Sequence, residues 1–303
     1  MKILNRKIQN NYIDPILLSK LTNIEMIARC AVEGFFAGLH PSPFHGFSVE
    51  YSEHRSYRPG DELRYLDWKK FGRSDKLYVK QFQQETNVNV YILLDSSKSM
   101  SFGDEGCISK LEYGSFLAAA LSYMMLKQND SVGLATFDTA IRKWIGPRSR
   151  STHLHILLKT LQNNAADGQT NLAAVLHNLA ERSCRRGMII LISDLLNDVE
   201  DIKSGLAHLK YLKHDVIVFQ TLDRQELNLD YDEQILFEDL ESKTSARVFP
   251  RSIQKVYRKN VAAFLEQVQQ TAGKNEIDYY LLNTSEPLDR GLLAYLNRRR
   301  RMG

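Results

Sequence analysis

Cysteine is scarce in this sequence, and so is any long apolar run. Cys30, Cys107 and Cys184 are odd in number and widely spaced, with no C-x-x-C or Cys/His cluster, so neither a disulfide framework nor a zinc site is indicated. Free thiols in a reducing compartment fit that usage. Runs such as Phe35 to Leu39 and Met188 to Ile192 are far too short to cross a bilayer. Met1 to Asn11 is polar and lacks the apolar centre of a signal peptide. The expectation is a cytoplasmic protein without a membrane span. Charge of one sign is not in excess either: 40 Lys and Arg stand against 36 Asp and Glu, a formal net charge of +4. That gives no warrant for nucleic-acid binding, although a mildly basic surface favours acidic partners. No P-loop, G-x-G-x-x-G, H-E-x-x-H or G-x-S-x-G motif occurs, so nucleotide, dinucleotide, zincin and α/β-hydrolase readings lack support.

What remains is an ordinary globular composition, 43% hydrophobic and 25% charged over 303 residues, enough for one large domain or two modest ones. Residues 14 to 38 read as one helix: Asp14 can cap it, Pro15 suits the first turn, and Leu17, Leu18, Leu21, Ile24, Ile27 and Ala28 recur at helical spacing. From Phe44 to Thr86 the pattern changes to short strands and turns, with Phe47, Val49 and Tyr51 alternating and Leu77 to Phe82 strand-like. This block cannot fold around its own core and reads as a small β subdomain tied to its neighbour by charge. After residue 87 strands and helices alternate, as in a doubly wound, mostly parallel α/β domain. Helices are expected at 110–128, 152–162, 172–184, 199–212, 252–272 and 287–300. Strands are expected at 131–137 with a hairpin partner at 140–145, and at 188–193, 215–222 and 277–282; an extra hairpin falls in 233–249. The organisation expected is an N-terminal helical segment over 1–37, a small β subdomain over 38–87 and an α/β domain over 88–303.

The most informative stretch is Val88 to Ser99. Val88, Val90, Tyr91, Ile92, Leu93 and Leu94 are apolar on both faces, as a central parallel strand requires. The run ends abruptly in Asp95, Ser97 and Ser99. In open parallel sheets ligands collect outside the carboxyl ends of the strands, and oxygen-only donors suit a hard divalent cation. Two further places offer oxygens: Thr170, just before a helix, and Asp194, where the strand from Met188 stops. Singly, each has a plain structural role, Thr170 as an N-cap for the helix from Leu172 and Asp194 as a turn cap. Together and in this order, they suggest convergence at one sheet edge, provided the strands carrying Asp95 and Asp194 are neighbours.

Asp95-x-Ser97-x-Ser99, then Thr170, then Asp194 resembles the metal-ion-dependent adhesion site of von Willebrand factor A domains. The resemblance implies Mg2+ or Mn2+ bound directly by Ser97, Ser99 and Thr170, with Asp95 and Asp194 acting mostly through water. A carboxylate from a protein partner would complete the shell. The upstream block Arg55-x-Tyr57-x-Pro59-Gly60-Asp61-Glu62-x-Arg64-x-x-Asp67-Trp68, with Arg73 beyond, resembles the signature of the bacterial domain of unknown function 58 family. That likeness covers roughly residues 38 to 300. It implies a von Willebrand factor A-type fold and a non-enzymatic interaction module. It also implies a MoxR-type AAA+ ATPase, or its client, as partner in a chaperone-like or assembly role.

An enzyme is the rival class. An aspartate ending the first strand is similar to the nucleophile of haloacid-dehalogenase-type phosphatases, but those need a second acid where this chain has Ser97. His45, His54 and their charged neighbours read as an ion-paired scaffold rather than an acid–base pair. His153 and His155 point apart on a helix and are expected at the surface. The run Arg298 to Arg301 reads as a solvated end.

Overall fold

The computed structural model describes residues 15–21, 23–38, 54–58, 66–74, 76–80, 88–104, 106–182, 186–231, 233–238 and 245–302. The chain divides into two compact units, residues 1–39 together with 88–303, and residues 40–87.

The larger unit opens with α1 (Pro15–Ser19) and α2 (Ile24–Gly38). The single helix expected over 14–38 is thus interrupted. Asn23 supplies the reason: its Oδ1 accepts the Glu25 backbone N–H at 2.8 Å, the bond of a residue that starts a helix rather than continues one. The smaller unit holds β1 (His54–Ser56), α3 (Trp68–Ser74) and β2 (Tyr78–Lys80). The two strands pair antiparallel. Helix α3 stands where only strands and turns were expected; Asp67 Oδ1 accepts the Lys70 N–H at 3.1 Å and caps it. The expected alternation of Phe47, Val49 and Tyr51 lies outside the described residues.

The rest of the larger unit runs β3 (Asn89–Asp95), α4 (Lys110–Lys127), β4 (Ser131–Phe137), β5 (Ile141–Arg148), α5 (Ser151–Gln162), α6 (Leu172–Arg182) and β6 (Met188–Ser193). It continues through α7 (Val199–Tyr211), β7 (Asp215–Leu222), α8 (Arg224–Asn228), the β8–β9 hairpin (Ile235–Glu238, Ser245–Val248), α9 (Pro250–Lys274), β10 (Asp278–Asn283) and α10 (Asp289–Met302). Six strands form one sheet in the order β10-β7-β6-β3-β4-β5. All neighbours pair in parallel except β5, which is antiparallel to β4. The fold is therefore mixed α/β on a mostly parallel sheet.

Side-chain alternation along β3 builds two cores. Val90, Ile92 and Leu94 enter the layer of α2, α4, α5 and α10, whereas Tyr91 and Leu93 enter the layer of α6, α7 and α9. Apart from Glu112 in its first turn, helix α4 is buried from Lys110 to Leu126, on its outer face as well as its inner one, because α2 lies across it. A capping box between Ser109 and Glu112 starts α4. With β3 next to β6, in the register Leu94 opposite Ile192, the carboxyl ends of both strands open on the same edge.

Candidate functional site

Strand β3 delivers Asp95 to that edge fully buried. Its Oδ1 accepts the Ser97 backbone N–H at 2.9 Å. Its Oδ2 accepts the Ser193 hydroxyl at 2.6 Å. Both carboxylate oxygens are thus held by the two neighbouring strand ends. The chain then turns into a short 3-10 segment, Lys98–Ser101, which brings the Ser97 and Ser99 hydroxyl oxygens to 3.1 Å from each other.

Strand β6 delivers Asp194 beside it, 1% exposed. Its Oδ1 accepts the Leu196 N–H at 3.3 Å, and its backbone carbonyl accepts Gln220 Nε2 from β7 at 2.8 Å. Its Oδ2 accepts the Lys110 ammonium at 2.8 Å. That same ammonium donates to Glu226 Oε1 at 2.6 Å.

The third segment, ahead of α6, is tied to both strand ends. Lys98 N–H donates to the Gly168 carbonyl at 2.9 Å, and Asp167 N–H donates to the Ser96 carbonyl at 2.9 Å. Asn197 Nδ2, beyond β6, donates to the Thr170 carbonyl at 3.4 Å. Arg142 fastens the segment from the other side, reaching the Ala165 and Asp167 carbonyls at 2.8 and 2.6 Å and Asp138 at 2.5 Å. Gly168 turns at φ +73°, and a Cβ there would sit 3.0 Å from Asp138 Oδ2, so glycine meets both demands of the turn.

Thr170 does not cap α6. The Asn171 side chain does that, with its Oδ1 accepting the Ala174 N–H at 3.1 Å. The Thr170 Oγ1 is buried and has no hydrogen-bond partner. A buried hydroxyl without a partner costs about 1 to 3 kcal/mol, and this one is left available as an oxygen donor.

The electrostatics match a site short of positive charge. Burial first, then the neighbouring Asp194 carboxylate, push the Asp95 pKa up to about 7, against the pull of the Ser193 and Ser97 hydrogen bonds. Burial would depress the Lys110 ammonium, but Asp194 and Glu226 outweigh it and hold its pKa above the ordinary lysine value. Burial also raises Glu226, with Lys110 working against the rise. Among the described residues no group of three or more His, Cys, Asp or Glu side chains is placed to hold a metal ion. Any cation here would rest mainly on Ser97, Ser99 and Thr170, with the two aspartates in support. The unpartnered Thr170 oxygen and the paired serine hydroxyls fit that donor set.

Lys110, Ser193 and Glu226 complete the edge and were not singled out from the sequence. A lysine opening a helix and a serine ending a strand are individually commonplace. Only the adjacency of β3 and β6, and of α8 to α4, makes them neighbours of Asp95 and Asp194.

The charged upstream block belongs to the smaller unit. Arg55 lies in β1 opposite Val79, and the Tyr57 N–H bonds the Leu77 carbonyl at 2.9 Å. Asp67 caps α3, Trp68 is 62% exposed and edge-on to Phe71, and Arg73 is exposed in the last turn of α3. Pro59, Gly60, Asp61 and Arg64 lie outside the described residues.

Two surface expectations are corrected. His153 is buried, and its Nε2 lies 2.8 Å from the Val132 carbonyl, because the first turn of α5 faces the sheet. His155 is exposed, as expected. In the C-terminal basic run, Arg298 bonds Asp215 at 2.7 Å and Asp278 at 3.2 Å, and Arg299 bonds Asp130 at 2.9 Å. Those two arginines lock α10 to the sheet rather than dangling in solvent.

Among the described residues, no helix is long and apolar enough to cross a membrane. An uncharacterized protein of Mycobacterium bovis, Mb1516, is 26% identical over 232 residues, 76% of this chain and 72% of that protein. The uncharacterized YeaD of Bacillus subtilis is 32% identical over 100 residues, 33% of this chain and 23% of YeaD. Two solved structures are similar at 18% identity. The conserved hypothetical protein BatB of Bacteroides thetaiotaomicron gives a TM-score of 0.46 over 71% of this chain and 99% of that one. An aerotolerance-related membrane protein of Bacteroides fragilis gives 0.47 over 70% and 99%. Residues 53–269 match the family described as "Protein of unknown function DUF58", most of the chain, and the chain belongs to that family.

Proposed function

We propose that this protein is a divalent-cation-dependent protein-interaction module with a von Willebrand factor A-type domain. Ser97, Ser99 and Thr170 would hold Mg2+ or Mn2+, supported by Asp95 and Asp194. The bound cation would supply an electrophilic point that accepts an Asp or Glu carboxylate from a partner. A cation held mainly by neutral hydroxyls keeps most of its charge for such an outside anion. The partner implied by the family resemblance is a MoxR-type AAA+ ATPase or its client, met in the cytoplasm. The single observation that carries this reading is the Thr170 hydroxyl, buried without a partner on a segment bonded to the strand ends bearing the other four residues.

The rival reading, a phosphatase with Asp95 as nucleophile, sits poorly with the same geometry. Asp95 is fully buried, and hydrogen bonds from the Ser97 N–H and the Ser193 hydroxyl fix its two oxygens against the strand ends, so a phosphoryl group would have to enter a closed site to meet it.

The test is thermal unfolding in Mg2+ and Mn2+ for the wild type and Ser97→Ala. Cation at a hundred times its Kd adds about 2.7 kcal/mol to native stability, a rise of roughly 5 to 10 °C for a domain of this size. That rise should disappear in Ser97→Ala. An equal rise in both proteins refutes the site.

A further inference from the structure

Asp194 already has a cation, and it is part of the chain. Lys110 is the first residue of α4 and is 0% exposed. Its ammonium lies 2.8 Å from Asp194 Oδ2 and 2.6 Å from Glu226 Oε1. Among the described residues, the other hydrogen-bond partners of the two aspartates are neutral: Asp95 is bonded to Ser97 N–H and the Ser193 hydroxyl, and Asp194 Oδ1 to Leu196 N–H.

We infer that Lys110 is a tethered counter-cation that competes with a divalent ion for Asp194 and so sets the affinity of the site. The inference rests on the reading of this edge as a divalent-cation site. Packing alone does not require a lysine here. Isolating an ammonium from water is costly, and α4 from Tyr113 to Leu126 is buried and largely apolar. What the lysine adds is a choice between two carboxylates. Asp194 lies on the metal edge. Glu226 lies on α8, where its Oε2 also accepts the Asp223 N–H at 2.9 Å in a capping box. When a divalent ion draws on Asp194, Lys110 retains Glu226 as its partner, so its charge stays compensated. Two cations beside one carboxylate repel each other, so the lysine weakens the ion's hold without displacing a donor.

Mn2+ binding to the full chain, measured by calorimetry and by the electron paramagnetic resonance signal of free Mn2+, tests this. Lys110→Met should bind Mn2+ at least about tenfold tighter than the wild type, the size of one partly screened charge interaction. Glu226→Gln should bind it more weakly, because Lys110 then rests on Asp194 alone. A merely structural lysine would lower the folding stability of both variants without moving Mn2+ affinity in opposite directions. Lys110→Met binding Mn2+ equally or more weakly than wild type overturns the inference. Where Lys110→Met does not fold, the double variant K110M/E226Q removes one of the stranded charges. Tighter binding than in E226Q alone supports the inference, and equal or weaker binding overturns it. Binding in the wild type that the variants match removes only the role of Lys110; no Mn2+ binding in any of the proteins removes the cation site as well.

Discussion

Thr170→Val replaces one hydroxyl by a methyl of nearly the same shape, so it probes the orphaned oxygen with little change in packing. In the unliganded protein that oxygen is buried without a partner, a state that costs about 1 to 3 kcal/mol. Its carbonyl contact with Asn197 is through the backbone and survives the change, and the α6 cap belongs to Asn171. Valine should therefore stabilise the cation-free protein by about 1 to 2 kcal/mol, which at roughly 2 to 4 °C per kcal/mol is a rise of about 2 to 8 °C. The same change removes one of the three direct donors proposed for the cation, so stabilisation by Mg2+ or Mn2+ should vanish. The assay is thermal unfolding with EDTA and with excess Mn2+, side by side. A higher midpoint in EDTA with no response to Mn2+ is the expected pair. A lower midpoint in EDTA would mean the hydroxyl is satisfied, and an undiminished Mn2+ response would mean it is not a donor; either result refutes the reasoning.

Other perturbations test the frame around the site. Arg298→Met removes the guanidinium that bridges the Asp215 and Asp278 carboxylates, whose side chains are 16% and 20% exposed, while Arg186 stays 3.8 Å from Asp215. Breaking a fully buried pair costs about 3 to 5 kcal/mol; discounted for that exposure and for the cation Asp215 retains, about 1 to 2 kcal/mol should be lost in urea unfolding, and a loss under about 0.5 kcal/mol would return the C-terminal basic run to a solvated role. His153 and His214 are both depressed below the ordinary histidine value, chiefly by burial. The native state therefore binds fewer protons at these rings than the unfolded chain, and stability is lost as pH falls through the unfolded value near 6.5. Asp95 acts in the opposite sense: with a folded pKa about 7, the native state holds its proton longer and loses stability as pH rises toward 7. The informative quantity is thus the difference between wild type and H153Q/H214Q in urea midpoint at pH 7.5 and 5.5. The double variant should lose less on acidification, and an identical loss would show that the rings do not carry it.

Much of the larger unit could be read from the chain. The apolar runs of β3, β6 and β7 have no polar face, and only a parallel sheet covered on both sides tolerates that. Their positions followed from composition alone. Boundaries set by single side chains were harder. Asn23 splits the first helix and Asp67 starts α3 through local hydrogen bonds that compete with the apolar pattern rather than express it. For the site, the chain order of Asp95, Ser97, Ser99, Thr170 and Asp194 was visible, and the β3–β6 pairing places Asp95 and Asp194 on adjacent strand ends. Lys110 and Glu226 were not visible. They stand 116 residues apart, and a pairing across that separation leaves no local periodicity to detect.

Helix α4 carries one more consequence. Its outer face is sealed by α2, and Leu18, Ile24, Ile27, Ala28, Ala31, Val32 and Phe35 belong to the same core as Leu117 and Leu121. The family match begins only at residue 53. A shortened chain cut at that point would keep all six strands of the main sheet, yet leave a central helix half uncovered. Such a product should be sticky and prone to precipitate. Where the family match begins is, in this protein, not where the folding unit begins.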